Sequence, residues 1–217
     1  MPIKDLHRQV AMIVLKVASQ HGFALAGGNA LMMHGMIDRH TADVDIFTDE
    51  EDGVAAVTAK VEDTLIAAGF AAERRDKTGG LGDIFPGMGD GLAEWIVTAP
   101  DGERMQLQMS YFFRARHPVV MEVGPVLALD DVAAGKTAAL AGRALMRDYV
   151  DVAALLNHYG PEDLIALAQR QDRGLRSEDF TGAARRLDQM PDSDLARYGL
   201  PPDTIAWIRE QFRDWPR

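Results

Sequence analysis

Hydrophobic residues recur at helical spacing between Ile3 and Gly22, which predicts an amphipathic helix closed by a glycine cap. The apolar stretch Phe23–Ala26 predicts a short strand, and a glycine pair then leads into a helix over Asn29–His34. Between Ala42 and Phe47 apolar and acidic residues alternate, which is the period of a strand with one buried face. The first quarter of the chain therefore predicts alternating helices and strands.

The sequence pattern in the middle of the chain predicts one helix followed mainly by strands. Six glycines and one proline interrupt any periodicity over Lys77–Gly91, which predicts a loop. The segment Pro100-Asp101-Gly102 is a hairpin signal between two alternating stretches. The elements predicted here are a helix over Gly53–Ala68, an extended stretch from Gly69-Phe70, and strands over Leu92–Thr98, Glu103–Ser110, Val119–Val123 and Val126–Leu129.

From Asp130 onward the pattern is helical, with two prolines placed near helix starts, where proline is tolerated. The chain thus predicts an α+β protein with two domains: residues 1–129 form a mixed sheet flanked by helices, and residues 130–217 form a helical domain. The predicted C-terminal helices are Asp131–Ala141, Met146–His158, Pro161–Arg170, Ser177–Gln189 and Pro202–Phe212.

Composition narrows the class of protein. The chain has 217 residues, no cysteine and a formal net charge of −10. This charge argues against broad, nonspecific binding of nucleic acid, although it leaves room for a local basic cleft. No apolar run is long enough to span a bilayer, and the N-terminus lacks the features of a signal peptide. We expect a cytoplasmic protein with no membrane partner, without disulfides or thiolate metal sites.

Two carboxylates stand out in the predicted strand over Ala42–Phe47. Asp43 and Asp45 are two positions apart, so their side chains leave the same face of the strand. Strand geometry puts their Cα atoms about 6.5–7 Å apart, close enough to converge on one or two divalent ions. Hard oxygen ligands select Mg²⁺ or Mn²⁺, which take further ligands from phosphates. The pair is therefore the predicted metal site.

Residues just before this strand suit a phosphate. Gly27 and Gly28 permit close approach of the backbone, and the helix that begins near Asn29 presents N–H groups and a positive dipole end. Arg39 and Thr41 add a charged donor and a hydroxyl. Joined to the acid pair, these five residues predict a site for a nucleoside triphosphate (NTP).

A second group of charged residues lies in the helical part. Lys136 and Arg143 share one helix face, and Asp148 and Asp151 share a face of the next helix. By itself this pattern is typical of two amphipathic helices joined by salt bridges. A lysine near a triphosphate would also stabilise charge on the phosphates.

These blocks together resemble the AbiEii-type nucleotidyltransferase toxins. The shared patterns are Gly-Gly-x-Ala-Leu, Arg-x-Ser/Thr-x-Asp-x-Asp, Lys-x-x-Ala-Leu-x-x-Arg and Arg-Asp-x-x-Asp, spread over Phe23–Leu156. The resemblance implies a nucleotidyltransferase core sheet and metal-dependent transfer of a nucleoside monophosphate (NMP) from an NTP. In several members of the family the acceptor is the end of a tRNA. The resemblance also implies a separate antitoxin protein. It also implies a catalytic role for Asp43, Asp45, Lys136 and Asp148, and nucleotide binding by residues that include Arg143.

The chain departs from this pattern at two positions. Asn29 stands where the family usually has serine or threonine. Nucleotidyltransferases also usually carry a third carboxylate on a later strand, and the matching position here is Gln108. A neutral amide cannot act as a base, so activation of the incoming hydroxyl should suffer unless Glu94 or Glu103 substitutes.

Three functions remain open from sequence. The first is a toxin-like nucleotidyltransferase that uses Mg²⁺ or Mn²⁺ and moves an NMP to RNA, with tRNA and an antitoxin as partners. The second is nucleotidyl transfer to a small antibiotic-like alcohol, which suits an acidic protein if the substrate is cationic. The third is a degenerate nucleotide-binding homologue without turnover.

Overall fold

The computed structural model describes residues 4–39, 41–75 and 91–217. They form two compact units, Met1–Ala128 and Leu129–Arg217. Apart from Gly91, the loop predicted over Lys77–Gly91 lies outside the described residues. The elements of the first unit are α1 (Asp5–Ala18), a 3-10 helix (Ser19–His21), β1 (Ala24–Leu25), α2 (Gly27–Met33), β2 (Asp43–Thr48), α3 (Gly53–Ala67), β3 (Ala71–Arg74), β4 (Leu92–Thr98), β5 (Arg104–Tyr111), β6 (Val119–Met121) and β7 (Gly124–Val126).

The described strands form a seven-stranded mixed sheet in the order β3-β4-β5-β2-β1-β7-β6. Strand β2 runs parallel to β5 and antiparallel to β1, while β1 runs parallel to β7. Strand β4 runs antiparallel to β5, as the hairpin signal predicts. The predicted mixed sheet and α+β class are confirmed, and β2 lies at the centre of the sheet.

The two faces of the central strands differ in polarity. Val44 and Ile46 of β2 are fully buried, as are Leu107 and Met109 of β5 and Trp95 of β4. Helices α1 and α3 pack against each other and against these strands. The alternate residues of β2 and β5 are half-buried or exposed. We call this second, polar side the open face of the sheet.

Helix α2 begins at Gly27, two residues before the predicted start. Glycine has a low helix propensity, so the sequence alone favours a start after the pair. In the structure Gly27 takes a left-handed φ of 62° and the hydrogen bond from Ala30 N to Ala26 O forms the first turn. The glycines are therefore part of the helix rather than a turn before it.

The second unit is helical, as predicted. Its core includes Tyr149, Phe180 and Trp215, and the Tyr149 hydroxyl donates to Ala183 O at 2.8 Å. The prediction missed α8, because six residues are too short to show a helical period. The helices are α4 (Leu129–Gly142), α5 (Met146–Leu155), α6 (Pro161–Gln171), α7 (Ser177–Gln189), α8 (Asp192–Arg197) and α9 (Pro202–Gln211).

Among the described residues, the helices all lack the combination of length and apolarity that crossing a bilayer requires.

Candidate functional site

The acid pair lies on the open face at the middle of the sheet. Asp43 and Asp45 are half-buried on β2, and the intervening Val44 is fully buried on the opposite face. Because β2 pairs in parallel with β5, Asp43 lies opposite Gln106 and Asp45 lies opposite Gln108. Two carboxylates therefore point to one side of the sheet, next to two neutral amides.

Gly27 lies directly against Asp45. A Cβ added to Gly27 would stand 1.8 Å from Asp45 Oδ2, so the Asp45 side chain would have to shift. A Cβ added to Gly28 would stand 2.5 Å from Thr41 Cγ2 and 3.4 Å from Arg39 Nη2. The start of α2 can approach Asp45 and Thr41 this closely because both of its first residues are glycine.

Asn29 and Thr41 lie inside the protein, behind the acid pair. They are 2% and 6% exposed, respectively. Asn29 Nδ2 donates to the backbone oxygen of Asp43 at 2.8 Å, and Thr41 Oγ1 donates to Asn29 Oδ1 at 2.9 Å. These hydrogen bonds connect α2 to the start of β2, and nucleotide contact by the two side chains stays a prediction.

His7 of α1 completes this chain of hydrogen bonds. Its Nδ1 lies 3.2 Å from Thr41 Oγ1. Since the Thr41 hydroxyl proton is used by Asn29, His7 Nδ1 must carry the hydrogen and donate it. His7 is 3% exposed, and sequence analysis gave no signal for it, because 34 positions separate it from Thr41.

The second group of charged residues forms buried ion pairs within the helical unit. Lys136 Nζ lies 2.9 Å from Asp151 Oδ2, and the Asp151 side chain is 0% exposed. Arg143 binds the fully buried Asp148 through Nε at 3.0 Å and Nη2 at 2.9 Å. Asp148 Oδ2 also accepts the Leu145 N–H at 3.0 Å, which caps α5. The predicted salt bridge between the two helices is confirmed by Lys136 and Asp151, whereas Arg143 lies one residue after the end of α4.

The structure thus groups most of the predicted site residues on the first unit. Gly27, Gly28, Asn29 and Thr41 adjoin the acid pair through the contacts above, Arg39 lies beside Gly28, and Gln108 faces Asp45 across the sheet. Lys136, Arg143 and Asp148 belong to the other unit. No cluster of three or more His, Cys, Asp or Glu ligands occurs in the described part of the chain.

A mixed sheet with a carboxylate pair on a central strand, beside a helix that opens on two glycines, is the arrangement that the resemblance to nucleotidyltransferases predicts. The family model described as "Nucleotidyl transferase AbiEii toxin, Type IV TA system" matches residues 14–213. The chain therefore belongs to the AbiEii nucleotidyltransferase toxin family, and it is a nucleotidyltransferase.

Solved structures share this fold at low sequence identity. JHP933 from Helicobacter pylori superposes with a TM-score of 0.61 at 15% identity, covering 96% of this chain and 91% of that one. MenT4, a nucleotidyltransferase toxin from Mycobacterium tuberculosis, superposes with a TM-score of 0.58 at 18% identity, covering 96% and 82%. No curated protein sequence matches this chain. The structural likenesses confirm the predicted nucleotidyltransferase-like fold.

Replacing Gly27 with alanine should destabilise the protein and displace the Asp45 carboxylate. A left-handed backbone costs a non-glycine residue on the order of 1–3 kcal/mol, and here the new Cβ also collides with Asp45 Oδ2. The matched control is Gly35→Ala, which has a φ of 72° but no atom within 4 Å of the added Cβ. Urea unfolding of both variants measures the difference, and equal losses of stability would contradict the close approach at Gly27.

Stability should depend on pH through His7. Burial, followed by the charge of Lys4, lowers the pKa of His7 from its ordinary value of 6.5. Below that value the unfolded chain binds a proton that the folded chain resists, so the free energy of unfolding should fall as the pH drops from about 7 to about 5. Above pH 6.5 the contribution is fully present.

Urea unfolding at several pH values tests this dependence. We expect His7→Asn to flatten the slope between about pH 5 and pH 7, because the titrating group is gone. His117→Gln, which removes an exposed histidine, should leave the slope unchanged. A His7→Asn variant with the same pH dependence as the unmodified protein would show that another group is responsible.

Proposed function

We propose that this nucleotidyltransferase transfers an NMP from an NTP to an RNA acceptor, the end of a tRNA, in a metal-dependent reaction. The observation that carries the proposal is the close approach of Gly27 to Asp45, which puts the glycine start of α2 against one carboxylate of the acid pair. Family membership supports the reaction class and a toxin-like role.

The metal would be held by Asp43 and Asp45. Mg²⁺ commonly uses one or two protein carboxylates and completes its shell with water and substrate phosphates, so a site with two carboxylates fits it. Both side chains are half-buried on the open face, where a ligand can reach them. Bound there, Mg²⁺ or Mn²⁺ would neutralise phosphate charge and lower the pKa of a bound hydroxyl.

The remaining residues divide into those that bind and those that position. We assign phosphate binding to the backbone of Gly27 and Gly28, with Arg39 as a charged donor, since helix-start N–H groups attract anions. Asn29 and Thr41 are positioning residues, because their hydrogen bonds hold the Asp43 backbone.

The resemblance to the family supports further roles in the helical unit. We propose that Lys136 and Arg143 stabilise phosphate charge and that Asp148 fixes the Arg143 guanidinium, as its two hydrogen bonds suggest. The reaction would take place in the cytoplasm, where NTPs and tRNA are present. An antitoxin protein that restrains the enzyme is the expected partner of a toxin of this family.

A transfer assay with two labels tests the reaction. The purified protein is incubated with Mg²⁺, total tRNA and each NTP in turn, labelled at either the α- or the γ-phosphate. Label on RNA from the α-labelled NTP alone supports nucleotidyl transfer and identifies the nucleotide. Label from the γ-labelled NTP would indicate phosphoryl transfer and overturn the proposal.

A parallel reaction contains a cationic aminoglycoside-type alcohol in place of tRNA. Label on this alcohol but not on RNA would overturn the RNA acceptor and favour the small-molecule reaction, which suits the net charge of −10. NTP binding without transfer to either acceptor would overturn catalysis and favour a degenerate nucleotide-binding homologue.

A further inference from the structure

A third carboxylate lies in the same cross-strand row as Asp45. Gln108 of β5 pairs with Asp45 on one side and with Glu94 of β4 on the other. Residues that face each other across neighbouring strands point to the same side of a sheet. Asp45, Gln108 and Glu94 therefore form one row across the open face.

Glu94 is linked by a hydrogen bond to the strand that lies between it and the acid pair. Two interstrand spacings separate the Cα atoms of Asp45 and Glu94 by about 10 Å. Glu94 Oε1 accepts a hydrogen bond from Gln106 Nε2 at 3.4 Å. Gln106 belongs to β5 and pairs with Asp43, so this bond joins the Glu94 carboxylate to a residue beside the acid pair.

The row gives the site two chemically different sides. On the β1 side of Asp45 stands Gly27, against the Oδ2 atom, where we have assigned the phosphates. On the β5 side stand Gln108 and, behind it, Glu94. An acceptor hydroxyl that attacks from this second side loses a proton, and the Gln108 amide cannot take it. Among the described residues, Glu94 is the carboxylate that lies on that side in the row of Asp45.

We propose that Glu94 is the general base that takes the proton of the acceptor hydroxyl. This assignment rests on the proposed function. The hydroxyl oxygen forms a bond to the α-phosphorus of the NTP while the bond from that phosphorus to the β-phosphate oxygen breaks. Pyrophosphate leaves, the proton moves to the Glu94 carboxylate, and Glu94 then releases it to water. Glu94 is not assigned as a metal ligand, in keeping with the absence of a three-ligand cluster among the described residues.

The test compares two glutamate-to-glutamine variants, one at the proposed base and one at a control position on the neighbouring strand. Glu94→Gln should lower kcat for label transfer about 10²-fold, the usual range of a general base. Its affinity for a non-hydrolysable NTP analogue and its urea unfolding midpoint should stay unchanged. The control is Glu73→Gln on β3, which lies on the same face opposite Ile96, one strand further from the acid pair, and should retain full activity.

Rescue and pH dependence separate catalysis from structure. Adding Gln108→Glu to the Glu94→Gln variant should raise kcat at least tenfold above that of Glu94→Gln, because it returns a carboxylate to the same row. The acidic limb of the pH–rate profile should be present in the unmodified protein and absent from Glu94→Gln.

The outcomes distinguish this assignment from the proposed function. Transfer by the unmodified protein together with full kcat in Glu94→Gln would overturn the role of Glu94 alone. No transfer by the unmodified protein would overturn the proposed function and, with it, this role. A double variant no more active than Glu94→Gln would contradict the placement of the base in this row.

Discussion

Replacing Asp45 with asparagine is expected to lower nucleotidyl transfer roughly 10³-fold, equivalent to about 4 kcal/mol of transition-state stabilisation. Asp45 is one of the two carboxylates that we propose hold the metal, and the start of α2 packs against it. Asparagine keeps the shape of the side chain, so the fold should survive while the negative charge is lost. Transfer of an α-phosphate label measures the effect.

The matched control for this variant is Asp63→Asn, which neutralises an exposed carboxylate of α3. It should transfer label at the rate of the unmodified protein. Binding of Mn²⁺, followed by its paramagnetic signal, gives a second measurement and should weaken only in Asp45→Asn. Full transfer by Asp45→Asn would remove the acid pair from the mechanism.

The largest loss of stability is expected from Lys136→Met. The Asp151 side chain is 0% exposed, and Lys136, its partner at 2.9 Å, is 13% exposed. Removing the lysine leaves a buried carboxylate without its cation, which typically costs about 3–5 kcal/mol. Urea unfolding followed by the tryptophan signal measures this change.

A double variant distinguishes the effect of removing the whole ion pair from the effect of leaving one buried charge unpaired. Lys136→Met with Asp151→Leu should recover most of the lost stability, because a well-packed apolar pair often replaces a buried ion pair without cost. Arg197→Met, at the exposed pair with Asp194, should change stability by less than about 1 kcal/mol. A small effect of Lys136→Met alone would show that Asp151 is compensated elsewhere.

The double variant also tests whether Lys136 acts in catalysis. Its stability should be close to that of the unmodified protein, so any loss of transfer reports the missing ammonium group rather than unfolding. Unchanged transfer would limit Lys136 to a structural role with Asp151.

Signals carried by neighbouring residues predicted much of the fold and part of the candidate site. The alternation around Asp43 and Asp45 predicts a strand with one buried face, and β2 has this pattern. The hairpin signal at residues 100–102 predicts the antiparallel pairing of β4 with β5. These patterns depend on residues within a few positions of one another, so they can be recognised in the amino-acid sequence alone.

Contacts between distant segments could not be predicted in this way. The link from His7 to Thr41 spans 34 positions, and the pairing of Asp45 with Gln108 spans more than 60. Asn29 was predicted to contact a nucleotide because it follows two glycines. Its hydrogen bond to the Asp43 backbone depends on how α2 packs against β2. Residue type alone does not distinguish these two uses of an amide.

The sequence by itself determined most of the elements, the α+β class, the acid pair and the family patterns, because periodicity and motif spacing are local properties of the chain. Tertiary structure decided which groups meet: Gly27 against Asp45, the hydrogen bonds from His7 to the Asp43 backbone, and Glu94 in the row of Asp45. The physical reason is that strand order and register are set by packing the whole sheet. A shift of one residue would move every side chain of a strand to the other face.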